Sequence, residues 1–316
     1  MPALMASRLT PLAAKLLGPR IGSLPPDVRL HLEAAMLMAE SLAERGRLQM
    51  DETGALLNRL GVGWVVLKGW PLALRLYPSP ACRPSGDLDV LVASEDVPPV
   101  TAALEAIGYR IHGGDRSYHT RFIGPGQGGL ANVIELHHHP GPPEFGGPVT
   151  SLVLAGRRPL DSPAGRLWIP AAPDELDLLV RHYLKHAGYQ AILLLDMILA
   201  GRAAGEGPTI DHPLGSLIGD DLARLGLERT IDGERRLACQ PLRRWMTRRT
   251  FEQRRSERHA ALVGVPLALS RSPAAALASL ARVVWPRWPT PRWVETSRTA
   301  TGGFTWRLRR LLRFGR

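Results

Sequence analysis

Two short apolar runs constrain this chain most: WVVL at 64–67 and LDVLV at 88–92, with one acid inside the second run and another immediately before it. Side chains alternate faces along a strand, so Asp87 and Asp89 project together while Leu88, Val90 and Val92 point the opposite way, into a core. Paired carboxylates on a rigid strand suit a hard cation such as Mg²⁺. Lys68-Gly69 ends the first run, and residues 70–77 can form a short helix that tolerates Pro71 in its first turn. Pro78, Pro80 and Pro84 then force an extended loop that delivers Gly86 to the strand at 87–92.

A third run, ANVIELHH at 131–138, reads as a strand with Ile134 and Leu136 in the core. Val133, Glu135, His137 and His139 face the other way, which gives Glu135 a histidine on its own face. Asp87, Asp89 and Glu135 on adjacent strands form a carboxylate triad able to hold two divalent ions, Mg²⁺ or Mn²⁺. One ion would bind a nucleoside triphosphate such as ATP and the other an acceptor hydroxyl. Lys68, Gly69, Arg83 and Gly86 form the candidate nucleotide side. Lys68-Gly69 offers an ammonium and backbone N–H groups at a strand-to-helix turn. Arg83 either holds the triphosphate or braces the Asp loop. The run His137-His138-His139 also raises zinc, but adjacent strand histidines face opposite ways and no second ligand cluster has matching spacing.

The remaining elements follow from periodicity and breakers. Helices are expected over 26–46 and 51–60, and from Ser94 as N-cap to Gly108. Strands are expected over 109–111 and 118–123. The glycine-rich stretch 124–129 fits a hairpin loop better than a phosphate cradle, since no helix follows it. A Pro/Gly linker spans 140–148, and an irregular stretch follows it. Helices are predicted from Pro173 through Leu184 and over 191–202, the second carrying an Asp196 that needs a partner in apolar surroundings. His182 and His186 share a helix face, where packing is the plainer reading than catalysis and partnering Asp196 is a natural use. Residues 201–219 read as loop, 222–242 and 243–263 as helices, and 264–303 as irregular. The resulting fold class is α/β of the α+β type, a mixed sheet flanked by helices with a C-terminal helical region. Its expected parts are a helical cap (1–60), a catalytic core (61–150), a helical domain (151–245) and a basic extension (246–316).

Lys and Arg outnumber Asp and Glu by 40 to 29, a formal charge of +11 that favours polyanionic partners. Much of the excess lies after Arg235. Arg243, Arg244, Arg248, Arg249, Arg254, Arg255 and Arg258 could form a basic helical surface for nucleic acid, and 304–314 could lie on an anionic membrane. A merely solvated arginine face remains the plainer reading. Cys82 and Cys239 lack CxxC spacing, which argues against a zinc finger or disulfide framework and fits a reducing cytoplasm. Arg8 and Lys15 interrupt any signal-like segment, and no apolar run is long enough to be a transmembrane segment.

In order, VVLKG, a short helix, LYPSPACRPSGDLDVLV and VIELHH resemble the uncharacterised nucleotidyltransferase family of the DNA polymerase beta superfamily. The helical stretch PDELDLLVRHYLKHAGYQAILLLDMIL, with His182, His186 and Asp196, is similar to that family's downstream helices. The resemblance covers residues 28–205. It implies a nucleotidyltransferase-like mixed sheet, Mg²⁺ dependence, and transfer of a nucleotidyl group from an NTP to an unidentified acceptor: a small molecule, peptide or protein. It also implies that Asp87, Asp89 and Glu135 are metal ligands and that Lys68-Gly69 is the nucleotide turn. In the wider superfamily a Gly-Ser turn precedes the acids; here the turn is Lys68-Gly69, and it lies farther from Asp87. The alternative is a catalytically silent module of the same fold that binds nucleotide or nucleic acid.

Overall fold

The computed structural model describes residues 8–114, 118–126, 131–142, 145, 147–162, 165–205, 210–211, 218–219, 221, 231–232, 244–246, 248–249 and 251–256. The chain divides into two compact units. The first comprises Met1–Gly114, His119–Pro140 and Pro148–Leu176, and the second Asp115–Tyr118, Gly141–Gly147 and Asp177–Arg316.

In the first unit, α1 (Thr10–Leu17) precedes a single helix of 35 residues, α2 (Pro26–Leu60). Pro26 and Asp27 suit its first turn and Arg59 its last, and Gly61 closes it in the left-handed conformation at φ 70°. Two helices meeting between Gly46 and Asp51 were expected; the structure runs straight through. Gly46 is a contact point rather than a stop, because a Cβ there would lie 1.9 Å from Cζ2 of Trp70. Asp51 starts no helix either. Its carboxylate accepts from Arg47 Nη1 at 2.9 Å and from Ser162 Oγ at 3.0 Å.

The five-stranded mixed sheet is built from β1 (Trp64–Val66), β2 (Leu88–Val92), β3 (Arg110–Ile111), β4 (His119–Gly124) and β5 (Asn132–His137). Their spatial order is β1-β2-β5-β4-β3. β2 and β5 run parallel, and the other neighbours are antiparallel. Between β1 and β2 lies α3 (Trp70–Leu76), and between β2 and β3 lies α4 (Val97–Ala106). Ser94 opens a short 3₁₀ turn instead of capping α4, whose N-cap is Asp96. β4 pairs with β5 from His119↔His137 to Gly124↔Asn132, so these strands form the expected hairpin; residues 127–130 of its loop lie outside the described residues.

Alternation divides the sheet into two chemically distinct faces. Trp64, Val66, Leu88, Val90, Val92, Ile134 and Leu136 join Met50, Leu56 and Leu57 of α2 and Val100 and Leu104 of α4 in one core. Removing that apolar area from water is what fixes the register, since a slip of one residue would carry Asp89 into the core. The opposite face is left to Asp89, Leu91, Glu135 and His137.

The stretch after the linker is more regular than its composition indicates. α5 (Thr150–Ala155) leads into a hairpin of β6 (Arg158–Ser162) and β7 (Gly165–Ile169), which was expected to be irregular. Glu175, buried near the start of α6 (Ala172–Lys185), pairs with Arg75 and with Arg158, the latter at 2.9 Å.

The second unit takes up α6 from Asp177 and continues through α7 (Ala191–Ala203), where Asp196 is fully buried. His182 and His186 meet edge to face at 4.6 Å. β8 (Ile210–Asp211) pairs in parallel with β9 (Ile231–Asp232), so the two described residues of the expected helix over 222–242 are in a strand, and its other residues lie outside the described ones. Helix α8 (Phe251–Ser256) follows. Its Arg254 is buried and grips Asp221 through two bonds of 2.7 and 2.6 Å, while Tyr183 donates to the same carboxylate at 2.8 Å. Arg254 therefore leaves the proposed basic surface. Residues 257–316, including the tryptophan-rich stretch and the arginine-rich end, lie outside the described residues. Among the described residues no helix is long and apolar enough to cross a membrane.

Candidate functional site

Asp89 is the centre of the polar face. It is the second residue of β2, stands opposite Glu135 of β5, and is buried at 1 % exposure. Its backbone carbonyl accepts from Leu67 N–H at 3.0 Å, which carries the β1–β2 ladder one residue past β1 and brings Lys68 beside β2. The Lys68 ammonium then forms an ion pair with Asp89 Oδ1. His137 Nε2 donates to the same oxygen at 3.1 Å and stands 3.7 Å from Glu135 Oε2. The other ring nitrogen, Nδ1, faces the backbone carbonyl of His139 at 3.4 Å. Behind His137 the His119 ring stacks at 5.1 Å, with its Nε2 3.8 Å from Glu135 Oε1.

These contacts set the ionisation of the group. Burial works against a charged Asp89, yet the Lys68 ammonium and the His137 hydrogen bond hold its carboxyl well below the usual carboxylate range. Burial likewise disfavours charge on His137, but its partners Asp89 and Glu135 outweigh it and raise the imidazole above its ordinary value. Glu135 is pushed up by burial and pulled further down by His137, so its carboxyl lies below normal. Asp87 goes the other way. Burial and the neighbouring Asp89 charge push it up, against a smaller pull from Lys68.

The sequence-predicted residues are thus partly assembled. Asp89, Glu135 and Lys68 meet. Asp87 lies just ahead of β2, half-buried, where Ser85 Oγ reaches its Oδ1 at 3.4 Å. Gly69 has φ 75°, and a Cβ there would sit 2.6 Å from Ser85 Oγ and 3.7 Å from Arg83 Nη1. Gly69 is therefore fixed by the turn it makes, and the buried Arg83 borders that turn. Gly86 is exposed, and a Cβ there would meet nothing within 4 Å. His137 and His119 were not among the expected site residues. The signal for His137 was its position two residues from Glu135 on the same strand face.

One oxygen from Asp89, one from Glu135 and one nitrogen from His137 lie within 4.8 Å of one another, a donor set that fits a divalent ion. A mixed sheet carries this group on the face away from its core. The sequence profile of the uncharacterised nucleotidyltransferase family matches residues 2–231 of the 316, and the chain belongs to that family. The match extends at both ends beyond the stretch in which the resemblance is legible by eye. Among solved structures, an antigenic nucleotidyltransferase-like protein from Paracoccidioides brasiliensis is similar at 15 % identity and a TM-score of 0.38, over 58 % of this chain and 87 % of that one. No curated protein matches this chain in sequence.

Proposed function

We propose that this chain is a divalent-ion-dependent nucleotidyltransferase that moves NMP from an NTP to a hydroxyl or phosphate oxygen of a small molecule, peptide or protein. The observation that carries the reading is the pairing of Asp89 with Glu135 across parallel strands, inside a chain of this family. In the reaction the acceptor oxygen bonds to the α-phosphorus, the bond from that phosphorus to the α–β bridging oxygen breaks, and pyrophosphate leaves. Asp87, Asp89 and Glu135 would hold Mg²⁺ or Mn²⁺, which supplies charge neutralisation on the triphosphate and a more acidic acceptor hydroxyl. Lys68, released from Asp89, would meet phosphate oxygens, with Gly69 and Gly86 in the adjoining turns. Arg83, which borders the Gly69 turn, would either reach the triphosphate or brace the loop. One of the three carboxylates would also take the acceptor proton.

Incubation of the purified protein with labelled NTPs, Mg²⁺ or Mn²⁺ and an acceptor pool tests this. Labelling by the wild type that disappears in the Asp87→Ala/Asp89→Ala double variant is the expected result; equal labelling by both removes the site. A second reading, a silent nucleotide-binding module, is favoured by one contact, the Lys68–Asp89 ion pair that already neutralises the central acid. Retained NTP affinity with no turnover on any acceptor would select it.

A further inference from the structure

We propose that His137 is a nitrogen ligand of the cation site, closing on the same ion as the Asp89 and Glu135 carboxylates, and that the site consequently selects a first-row transition ion, for which Mn²⁺ is the spectroscopic probe, over Mg²⁺. This deepens the reading of the same site but does not require that the site be active. Three observations carry it. The nitrogen of His137 and the two carboxylate oxygens converge within 4.8 Å, and Asp87 is not in that group. His137 Nδ1 faces the His139 carbonyl, the arrangement by which a ligating histidine is oriented: one ring nitrogen anchored to the backbone, the other aimed at the ion. The ring is also buried at 3 % exposure and backed by the stacked His119, so its aim is fixed by packing.

The chemistry of selection follows from the donor atoms. Mg²⁺ demands hard oxygen ligands in near-ideal octahedral geometry and dehydrates reluctantly. Imidazole nitrogen is a softer donor that favours later and more polarisable ions. A donor set that includes an imidazole nitrogen would therefore penalise Mg²⁺ relative to a first-row transition ion. Lys68 bears on the same step, because its ammonium and the ion compete for Asp89 Oδ1. Ion binding displaces that ammonium, and the Nε2 proton of His137 passes to solvent as the nitrogen takes up the ion.

The test is Mn²⁺ titration of the nucleotide-free full-length protein, followed by electron paramagnetic resonance. The free aqua ion signal gives affinity, and pulsed spectra show whether nitrogen is bound to the ion. The wild type is expected to bind Mn²⁺ with nitrogen modulation that changes on ¹⁵N-histidine labelling. Mg²⁺ should displace it only at about tenfold or greater excess. His137→Gln should weaken binding by about tenfold or more and abolish the modulation, and Lys68→Met should tighten binding. Bound Mn²⁺ without nitrogen modulation in the wild type overturns the proposal, as does displacement by Mg²⁺ at equal concentration. Because both results come from unmutated protein, they stand even if His137→Gln fails to fold. Label transfer in the same preparation separates the two readings. Nitrogen-ligated Mn²⁺ without transfer upholds the site and overturns the reaction, and transfer with oxygen-only Mn²⁺ does the reverse.

Discussion

Asp89 and Glu135 are direct partners across the one parallel pairing in the five-stranded sheet, although each sits among apolar neighbours that face the other way. Both carboxylates are held below their ordinary range by the cationic groups between and beside them.

Asp89→Asn keeps the shape of the side chain and removes its charge. Lys68 and His137 then face a neutral amide, and the proposed ion would lose a carboxylate ligand. Turnover should fall by about 10²–10⁴-fold, corresponding to several kcal/mol of lost transition-state stabilisation. Steady-state labelling rates for wild type and variant, at matched folded fraction by circular dichroism, provide the comparison.

The ion-free protein should show a bell-shaped dependence of stability on pH. His137 is raised above 6.5, so its contribution is complete below that value and disappears as pH climbs through the folded value. Asp89 and Glu135 are lowered from 3.8 and 4.5, so theirs are complete above those values and disappear as pH falls through the folded ones. Asp87, being raised, opposes them on the acid side. Urea midpoints in EDTA should therefore decline above pH 6.5 in the wild type, and the decline should shrink in His137→Gln. An unchanged decline would place its origin elsewhere.

Gly69→Ala and Gly86→Ala should part company. The first forces a Cβ to 2.6 Å from Ser85 Oγ at φ 75°, and should cost about 1–3 kcal/mol while disturbing the turn that holds Lys68. The second meets nothing within 4 Å and should stay within about 0.5 kcal/mol of wild type. Chemical denaturation of the two variants side by side is sufficient.

On helix propensity alone, Gly46→Ala should stabilise α2 by about 1 kcal/mol. Contact wins instead: the new methyl would lie 1.9 Å from the Trp70 ring, and overpacking of this kind costs about 1–3 kcal/mol. Adding Trp70→Leu should restore part of the loss, which a double-mutant cycle on melting temperature would register. Strict additivity would contradict the contact.

In the second unit, Arg254→Met should cost about 3–5 kcal/mol, because it leaves the buried Asp221 carboxylate without its bidentate partner. Arg254→Met combined with Asp221→Leu should be less damaging than the single change. Thermal melts of the three proteins would rank them.

The site's carboxylate pair was legible because period-two alternation is a strong signal when one face is apolar. Leu88, Val90, Ile134 and Leu136 declare the core, and Asp89 and Glu135 are then forced to the other side. The long helix was not legible, because Gly46 and Asp51 carry local stop signals that are overruled by Trp70 and by Arg47 with Ser162. The β6–β7 hairpin was hidden by Pro159 and the polar residues of β6, whose pairing depends on neighbours rather than on propensity. The partner of Lys68 was hidden for a related reason. Sequence shows a lysine at a turn, but not that the ladder continues through Leu67 and delivers it to Asp89.

The parallel pairing of β2 with β5 also imposes an order of assembly during synthesis. His137 lies 48 residues beyond the acid it touches, so Lys68 and Asp89 are synthesised before β5 exists. In a nascent chain Lys68 is already present to shield that carboxylate while the first two strands pair. The group of Asp89, Glu135 and His137 closes only when the later strand docks. Until then the growing polypeptide lacks two of the three donors of the proposed site, and completion of the sheet is what brings them together.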